Sequence, residues 1–149
     1  PGELFPLWGK EYPLQFGLHP EFDGHSIVVC PESIAPDAIR AALYEVYFGI
    51  ASQLVQENIE KYAPLFDGTV SGVIIKEFKS QWGSCTAKNK LSFNLKLVLY
   101  DKRVLEYVVI HELAHMRHRD HSAAFWAAVA SAMPDYKKQR EQLKTPLAF

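Results

Sequence analysis

His111-Glu112-Leu113-Ala114-His115 sets two imidazoles one helical turn apart with a carboxylate beside the first. Residues four apart on a helix lie about 40° apart in projection and about 6 Å apart along the axis, so both rings can converge on one ion. Glu112 is turned by about 100° from His111, which places it beside the metal's open position instead of among the ligands. From there a carboxylate can take a proton from metal-activated water, which is the chemistry of a zinc-dependent hydrolase.

A catalytic zinc takes three protein ligands and leaves the fourth position to water or substrate, so a third donor is required. Two histidines compete for that role. His118 would share a helical face with His111 but would sit about 10 Å further along the axis, too far to close one tetrahedron. His121 reaches the metal only if the chain turns after His115, and Arg117-His118-Arg119-Asp120 can supply that turn. Ser122 then reads as the N-cap of a second helix, Ala123 to Met133, in which Phe125, Val129 and Met133 recur at helical spacing before Pro134 interrupts it. We expect His121 as the third ligand, with His118 as the alternative. Four of the six histidines fall between positions 111 and 121 with Glu112 among them, which argues against a chance run of solvated rings.

The metal-bearing helix is legible apart from its histidines. Leu105, Val109 and Leu113 recur every four residues, Val108 and Met116 widen the stripe, and His111 and His115 fall largely outside it. Asp101 suits the N-cap, although Lys102 and Arg103 are unfavourable at a helix start. Further upstream, Pro36 to Tyr62 reads as a long helix with Ile39, Leu43, Tyr47, Ile50 and Leu54 on one stripe and Pro36 in its first turn. Tyr44, Tyr47 and Phe48 read as core.

Short extended pieces open the chain, Leu4 to Trp8, Tyr12 to Phe16 and Ser26 to Cys30. After the Asp67-Gly68 turn, the β-branched segment Val70 to Phe78 reads as a strand. Leu91, Phe93, Leu95, Leu97 and Leu99 alternate with Ser92, Asn94, Lys96, Val98 and Tyr100, the period of a strand with one buried face. Asn94 then falls on the polar face, and the backbone around it is a candidate edge for an extended substrate. Between these strands, Trp82-Gly83-Ser84 offers a glycine for close backbone approach and a tryptophan to wall a cleft or seal the core. Trp126, beyond His121, reads as packing that orients the third ligand. Tyr136 and Arg140, one turn apart on a terminal helix, are candidate oxyanion donors.

Taken together, Gln81-Trp82-Gly83-Ser84-Cys85, Phe93-Asn94-Leu95, Tyr107-Val108-Val109-Ile110 running into His111-Glu112-Leu113-Ala114-His115, His121-Ser122 and Phe125-Trp126 resemble the YgjP-like metallopeptidases, relatives of the WLM and SprT-like zinc proteases. The similarity spans roughly Val70 to Leu143. It implies an α+β, zincin-like domain with a small sheet packed on the metal-bearing helix. It also implies His111, His115 and His121 as zinc ligands and Glu112 as general base or acid. One departure is visible, since the family carries a basic residue just before Trp-Gly-Ser-Cys and Gln81 stands there. The ligand spacing is also similar to that of the metzincins, whose turn glycine is replaced by His118.

With 149 residues and 48% hydrophobic composition, the chain is expected to fold as a single domain over 1–149. It has no apolar run of membrane-spanning length. The Pro1-Gly2-Glu3-Leu4 start lacks a methionine and reads as a processed or excised fragment missing an N-terminal segment. Cys30 and Cys85 form no disulfide framework, which points to a reducing, cytoplasmic setting. Cys85 reads as a small buried apolar residue, with metal ligation the lesser alternative. Net charge is −1 but uneven, about −7 over residues 1–75 and +6 over 76–149. The basic half keeps two other functions in view beside a peptidase acting on polypeptide. One is a metal-dependent pyrophosphatase of nucleoside triphosphates, with nucleic acid as a weaker partner class. The other is a non-catalytic module with structural zinc. Composition sets neither the oligomeric state nor the substrate.

Overall fold

The computed structural model describes residues 3–149; Pro1 and Gly2, where the chain departs from a methionine start, lie outside them. Strands β1 (Leu4–Leu7) and β2 (Lys10–Phe16) form a hairpin whose two turn residues, Trp8 and Gly9, both have positive φ (52° and 78°). Glycine enters that region freely, whereas Trp8 is held there by the docking of the tip: Trp8 N donates to Val98 O (2.6 Å) and Gly9 N to Leu99 O (3.2 Å). Strand β2 continues parallel to β4 (Ile27–Val29), and β4 pairs antiparallel with β3 (Glu21–Phe22), giving the order β1-β2-β4-β3.

Helix α1 spans Pro36–Tyr62, the bounds the sequence suggests, with proline in the first turn where a missing N–H costs nothing. Its buried face is centred a little off the expected stripe, on Leu43, Val46, Tyr47, Ala51 and Val55. Tyr47 is sealed in the core and donates from its hydroxyl to Pro6 O (2.5 Å), whereas Phe48, expected in the core, faces solvent.

A second sheet has the order β5-β7-β6, with β5 (Gly72–Lys76) parallel and β6 (Gly83–Cys85) antiparallel to the central β7 (Lys90–Asn94). The long strand expected from Leu91 to Tyr100 stops at Asn94. Leu95–Leu99 is a 3-10 helix, and Leu95, Leu97, Val98 and Leu99 are all buried. The side chain of Asn94 makes the break: its Oδ1 accepts from Lys96 N (3.0 Å), and its Nδ2 donates to Phe78 O and Gln81 O (both 2.9 Å). Asn94 is therefore buried, not on a polar face, and it ties down the loop that leads into β6.

Helix α2 (Lys102–Ala114) lies under this sheet, capped by Asp101, whose Oδ1 accepts from Arg103 N (2.9 Å). Helix α3 (Ala123–Ala132) packs on its C-terminal end and α4 (Tyr136–Gln142) alongside its first half, and Ser122 caps α3 by accepting from Phe125 N (3.3 Å). Because α1, the sheet, α3 and α4 all pack on α2, far more of it is buried than a single stripe: Val104, Leu105, Tyr107, Val108, Val109, Ile110, Leu113 and Ala114. One continuous apolar core joins the two sheets and the helices. His111 and His115 sit on the part of α2 left open. Among the described residues no helix is long and apolar enough to cross a membrane.

Candidate metal centre

Past Ala114 the chain leaves α2 through tightening turns, with Met116 N donating to Leu113 O (3.0 Å) and His118 N to Ala114 O (2.9 Å). The turn carries His121 back over the helix end. One imidazole nitrogen from each of His111, His115 and His121 falls within 4.8 Å of the others, a grouping able to hold a metal ion. His118 stays outside it and contributes its carbonyl, which accepts from His115 Nδ1 at 2.9 Å. A carbonyl can only accept, so the proton of His115 is on Nδ1 and the Nε2 lone pair is free. That Nε2 lies 3.2 Å from His121 Nε2. That separation lets the pair share one metal ion, and the nitrogens of all three rings lie within 4.8 Å of one another. Burial holds the His115 pKa below its ordinary value, against the opposing pull of the His118 carbonyl, and favours the neutral ring that a metal requires.

Aromatic side chains fix these rings from below. Phe125 touches all three, stacked on His115 (4.5 Å between centroids) and edge-on to His111 and His121 (5.0 Å each). Trp126 stacks on His121 (5.8 Å) and on Tyr136 (5.3 Å), which in turn stacks on Tyr107. Trp126 thus packs against the third imidazole as its position suggests. Tyr136 is absorbed in the same stack and buried, not aimed at the cleft.

Glu112 is 5% exposed and lies against His111, with Oε2 3.1 Å from His111 Nδ1. Its other neighbour is Gly83. A Cβ at that position would stand 3.0 Å from Glu112 Cγ, Glu112 Oε2 and Ser92 O, so any larger residue would make the carboxylate or the strand give by a few tenths of an ångström. Gly83→Ala is expected to shift Glu112 and lower kcat by up to about tenfold with little change in metal affinity, less than the roughly 100-fold that a full 1 Å misplacement carries. Steady-state kinetics alongside a metal titration separates the two quantities.

The central position of β7 removes its backbone as a candidate substrate edge, and β6 is the edge strand that lies beside α2. Asn94 N donates to Trp82 O and Thr86 N to Lys90 O (both 2.9 Å), at either end of β6. Antiparallel alternation then points Ser84 toward β7 and leaves the backbone groups of Gly83 and Cys85 directed to the open edge.

The three histidines lie between two open depressions. The larger, about 620 Å³, is lined by Trp82, Gly83, Tyr107, Val108, Trp126 and Arg140; the smaller, about 300 Å³, by Ser84, Cys85 and Arg119. Burial pushes the Tyr107 hydroxyl up to about 12, so it stays a neutral donor. Cys85 stands outside the nitrogen cluster, half-buried on the wall of the smaller depression, and burial raises its thiol pKa against the lowering effect of Arg119. An equally large cleft over α1, lined by Glu21, Glu45 and Glu57, has no candidate metal cluster among the described residues.

Sequence reasoning missed Arg119 as a functional residue. Its guanidinium donates to Thr86 O (2.8 Å), Ala87 O (3.3 Å) and Asn89 Oδ1 (2.8 Å), fastening the loop that carries His121 to the β6–β7 turn. No local pattern announces this, because its partners lie about thirty residues upstream and are mostly carbonyls.

The YgjP-like metallopeptidase domain description matches residues 1–146. Among solved structures, the fold is similar to the metallopeptidase zymogen abylysin of Pyrococcus abyssi (19% identity, 62% of this chain and 90% of that one, TM-score 0.51). It is also similar to the zymogen jannalysin of Methanocaldococcus jannaschii (20% identity, 62% and 86%, TM-score 0.50). No curated protein matches the chain. The zincin-like α+β fold around the histidine cluster and the match over nearly the whole sequence agree: the chain belongs to the YgjP-like metallopeptidase family.

Proposed function

We propose that the protein is a zinc peptidase acting on extended polypeptide, with His111, His115 and His121 holding the metal and Glu112 carrying the proton. The observation that supports it most strongly is the convergence of three imidazole nitrogens within 4.8 Å beside an open strand edge. An all-nitrogen donor set suits zinc and is a poor match for Mg²⁺, which prefers oxygen ligands. When bound, zinc supplies an acidified water and a polarised carbonyl.

The remaining steps belong to the chain. An extended substrate adds to the free edge of β6 through the backbone groups of Gly83 and Cys85, which sets the scissile bond across the mouth of the histidine cluster. Glu112 Oε2 takes a proton from the attacking water and delivers it to the leaving amine nitrogen. Trp82, Tyr107 and Trp126 wall the larger depression on the side where the substrate would lie. A nucleoside triphosphate would find little counter-charge in that depression, where Arg140 and Lys144 are the cations and Lys144 is paired with Glu141 at 2.9 Å. The two free cysteines support a reducing compartment.

The test is incubation of zinc-loaded protein with an unfolded polypeptide and, separately, with nucleoside triphosphates, with products read by mass spectrometry. Peptide products that disappear on chelation and return with zinc but not Mg²⁺ support the proposal. Pyrophosphate release with intact polypeptide would move the chemistry to phosphorus.

A further inference from the structure

Helix α4 brings one cation into the larger depression. Arg140 lines it together with Trp82, Tyr107, His111 and Glu112. Its guanidinium lies over the Trp126 ring at 4.9 Å and over the Tyr136 ring at 5.9 Å, on two rings that themselves stack at 5.3 Å. An aromatic platform holds a guanidinium by its face, which leaves the N–H groups on its edge free to donate.

Those donors have no acidic partner. Arg140 makes no ion pair among the described residues, whereas Lys144 on the same rim is paired with Glu141, and Arg119 across the metal site is committed to the β6–β7 turn. The helix that carries Arg140 is itself tethered. Arg103 of α2 bridges Glu106 (2.6 Å) and Asp135 (2.7 Å) at the start of α4, and Gln139 Nε2 donates to Asp135 Oδ2 (3.2 Å). An unpaired fork seated on two rings, on the wall of the depression that also holds Glu112 and His111 and whose lining includes the apolar Trp82, Tyr107, Val108 and Leu143 beside Ser80 and Gln81, suits one planar anion carried on a partly apolar chain.

We propose that Arg140 determines specificity by binding a carboxylate of the polypeptide substrate next to the metal centre, an inference that rests on the peptidase reading above. The carboxylate has two sources, an acidic side chain near the scissile bond or the free C-terminus of a short peptide. The first makes the protein an endopeptidase that prefers acidic neighbours; the second makes it an exopeptidase.

The test uses the zinc-loaded full chain carrying Glu112→Gln, so that peptides survive, and three peptides of equal length. One is amidated and neutral, one is neutral with a free C-terminus, and one is amidated with a single internal Glu. Trp126 lies under the guanidinium, so tryptophan fluorescence reports binding. At least one carboxylate peptide is expected to bind about tenfold tighter than the neutral amide, as a charge-assisted bidentate contact implies. Added Arg140→Gln is expected to abolish that preference while leaving the neutral amide's affinity unchanged, which also shows that the variant is folded. Arg140→Glu should reverse the preference toward a peptide with Lys in place of Glu. In protein with Glu112 intact, Arg140→Gln should raise KM for the preferred peptide about tenfold with kcat little changed, whereas a fall in kcat at constant KM would return Arg140 to the oxyanion role and overturn the subsite. Which carboxylate peptide gains identifies the source. Equal affinity for all three peptides, or an equal loss for all three on Arg140→Gln, would overturn the subsite and leave the peptidase reading standing. Failure of the protein to bind or cleave any peptide would overturn both.

Discussion

Changing Glu112 to Gln is expected to lower peptide turnover by about 10²- to 10⁴-fold, the usual contribution of a positioned general base, while zinc affinity changes little. The expectation follows from what the side chain touches. Glu112 is almost fully buried, its carboxylate accepts from His111 Nδ1, and its stem lies against Gly83. Gln keeps the shape and an acceptor oxygen, so the contact to His111 and the ring's orientation survive, but an amide cannot take and release the proton. Single-turnover kinetics measured alongside zinc content checks both halves. Unchanged turnover would remove Glu112 from the chemistry; joint loss of zinc and turnover would make it a structural residue.

A second large effect is expected at the metal. His121→Ala removes one of the three proposed donors and should raise the zinc dissociation constant by more than about 100-fold, beyond the 10- to 100-fold typical of an outer partner. His118→Ala keeps the backbone carbonyl that accepts from His115, so its effect should stay below about tenfold. Competition with a chromophoric chelator ranks the two variants. The reverse order would mean that the turn after His115 presents a different histidine to the ion.

The helical framework of the site was legible in sequence because caps and periodicity there are local. Pro36, Asp101 and Ser122 each mark a helix start that the structure reproduces, and the histidine spacing needs only the helix repeat to be read. The strands were less legible for a physical reason. Alternating leucines from Leu91 to Leu99 satisfy a strand pattern, yet the side-chain hydrogen bonds of Asn94 stop the ladder halfway, and the following residues are buried on every side. The two-residue strand β3 is too short to carry a period, and the parallel pairing of β2 with β4 depends on contacts that no local signal encodes. The metal site shows the same division. His111, Glu112, His115 and His121 stood out by residue type, and Gly83 by its freedom for close approach. The tie from Arg119 and the platform beneath Arg140 come from segments brought together only by the fold.

The most direct measurement is anomalous diffraction at the zinc edge from crystals of the zinc-loaded protein. A single zinc bound by one nitrogen each of His111, His115 and His121, at about 2.0–2.1 Å and with no protein atom in the fourth position, is the predicted result. A fourth protein ligand closing the tetrahedron, or zinc held by His118 in place of His121, would contradict an open catalytic centre built on these three histidines.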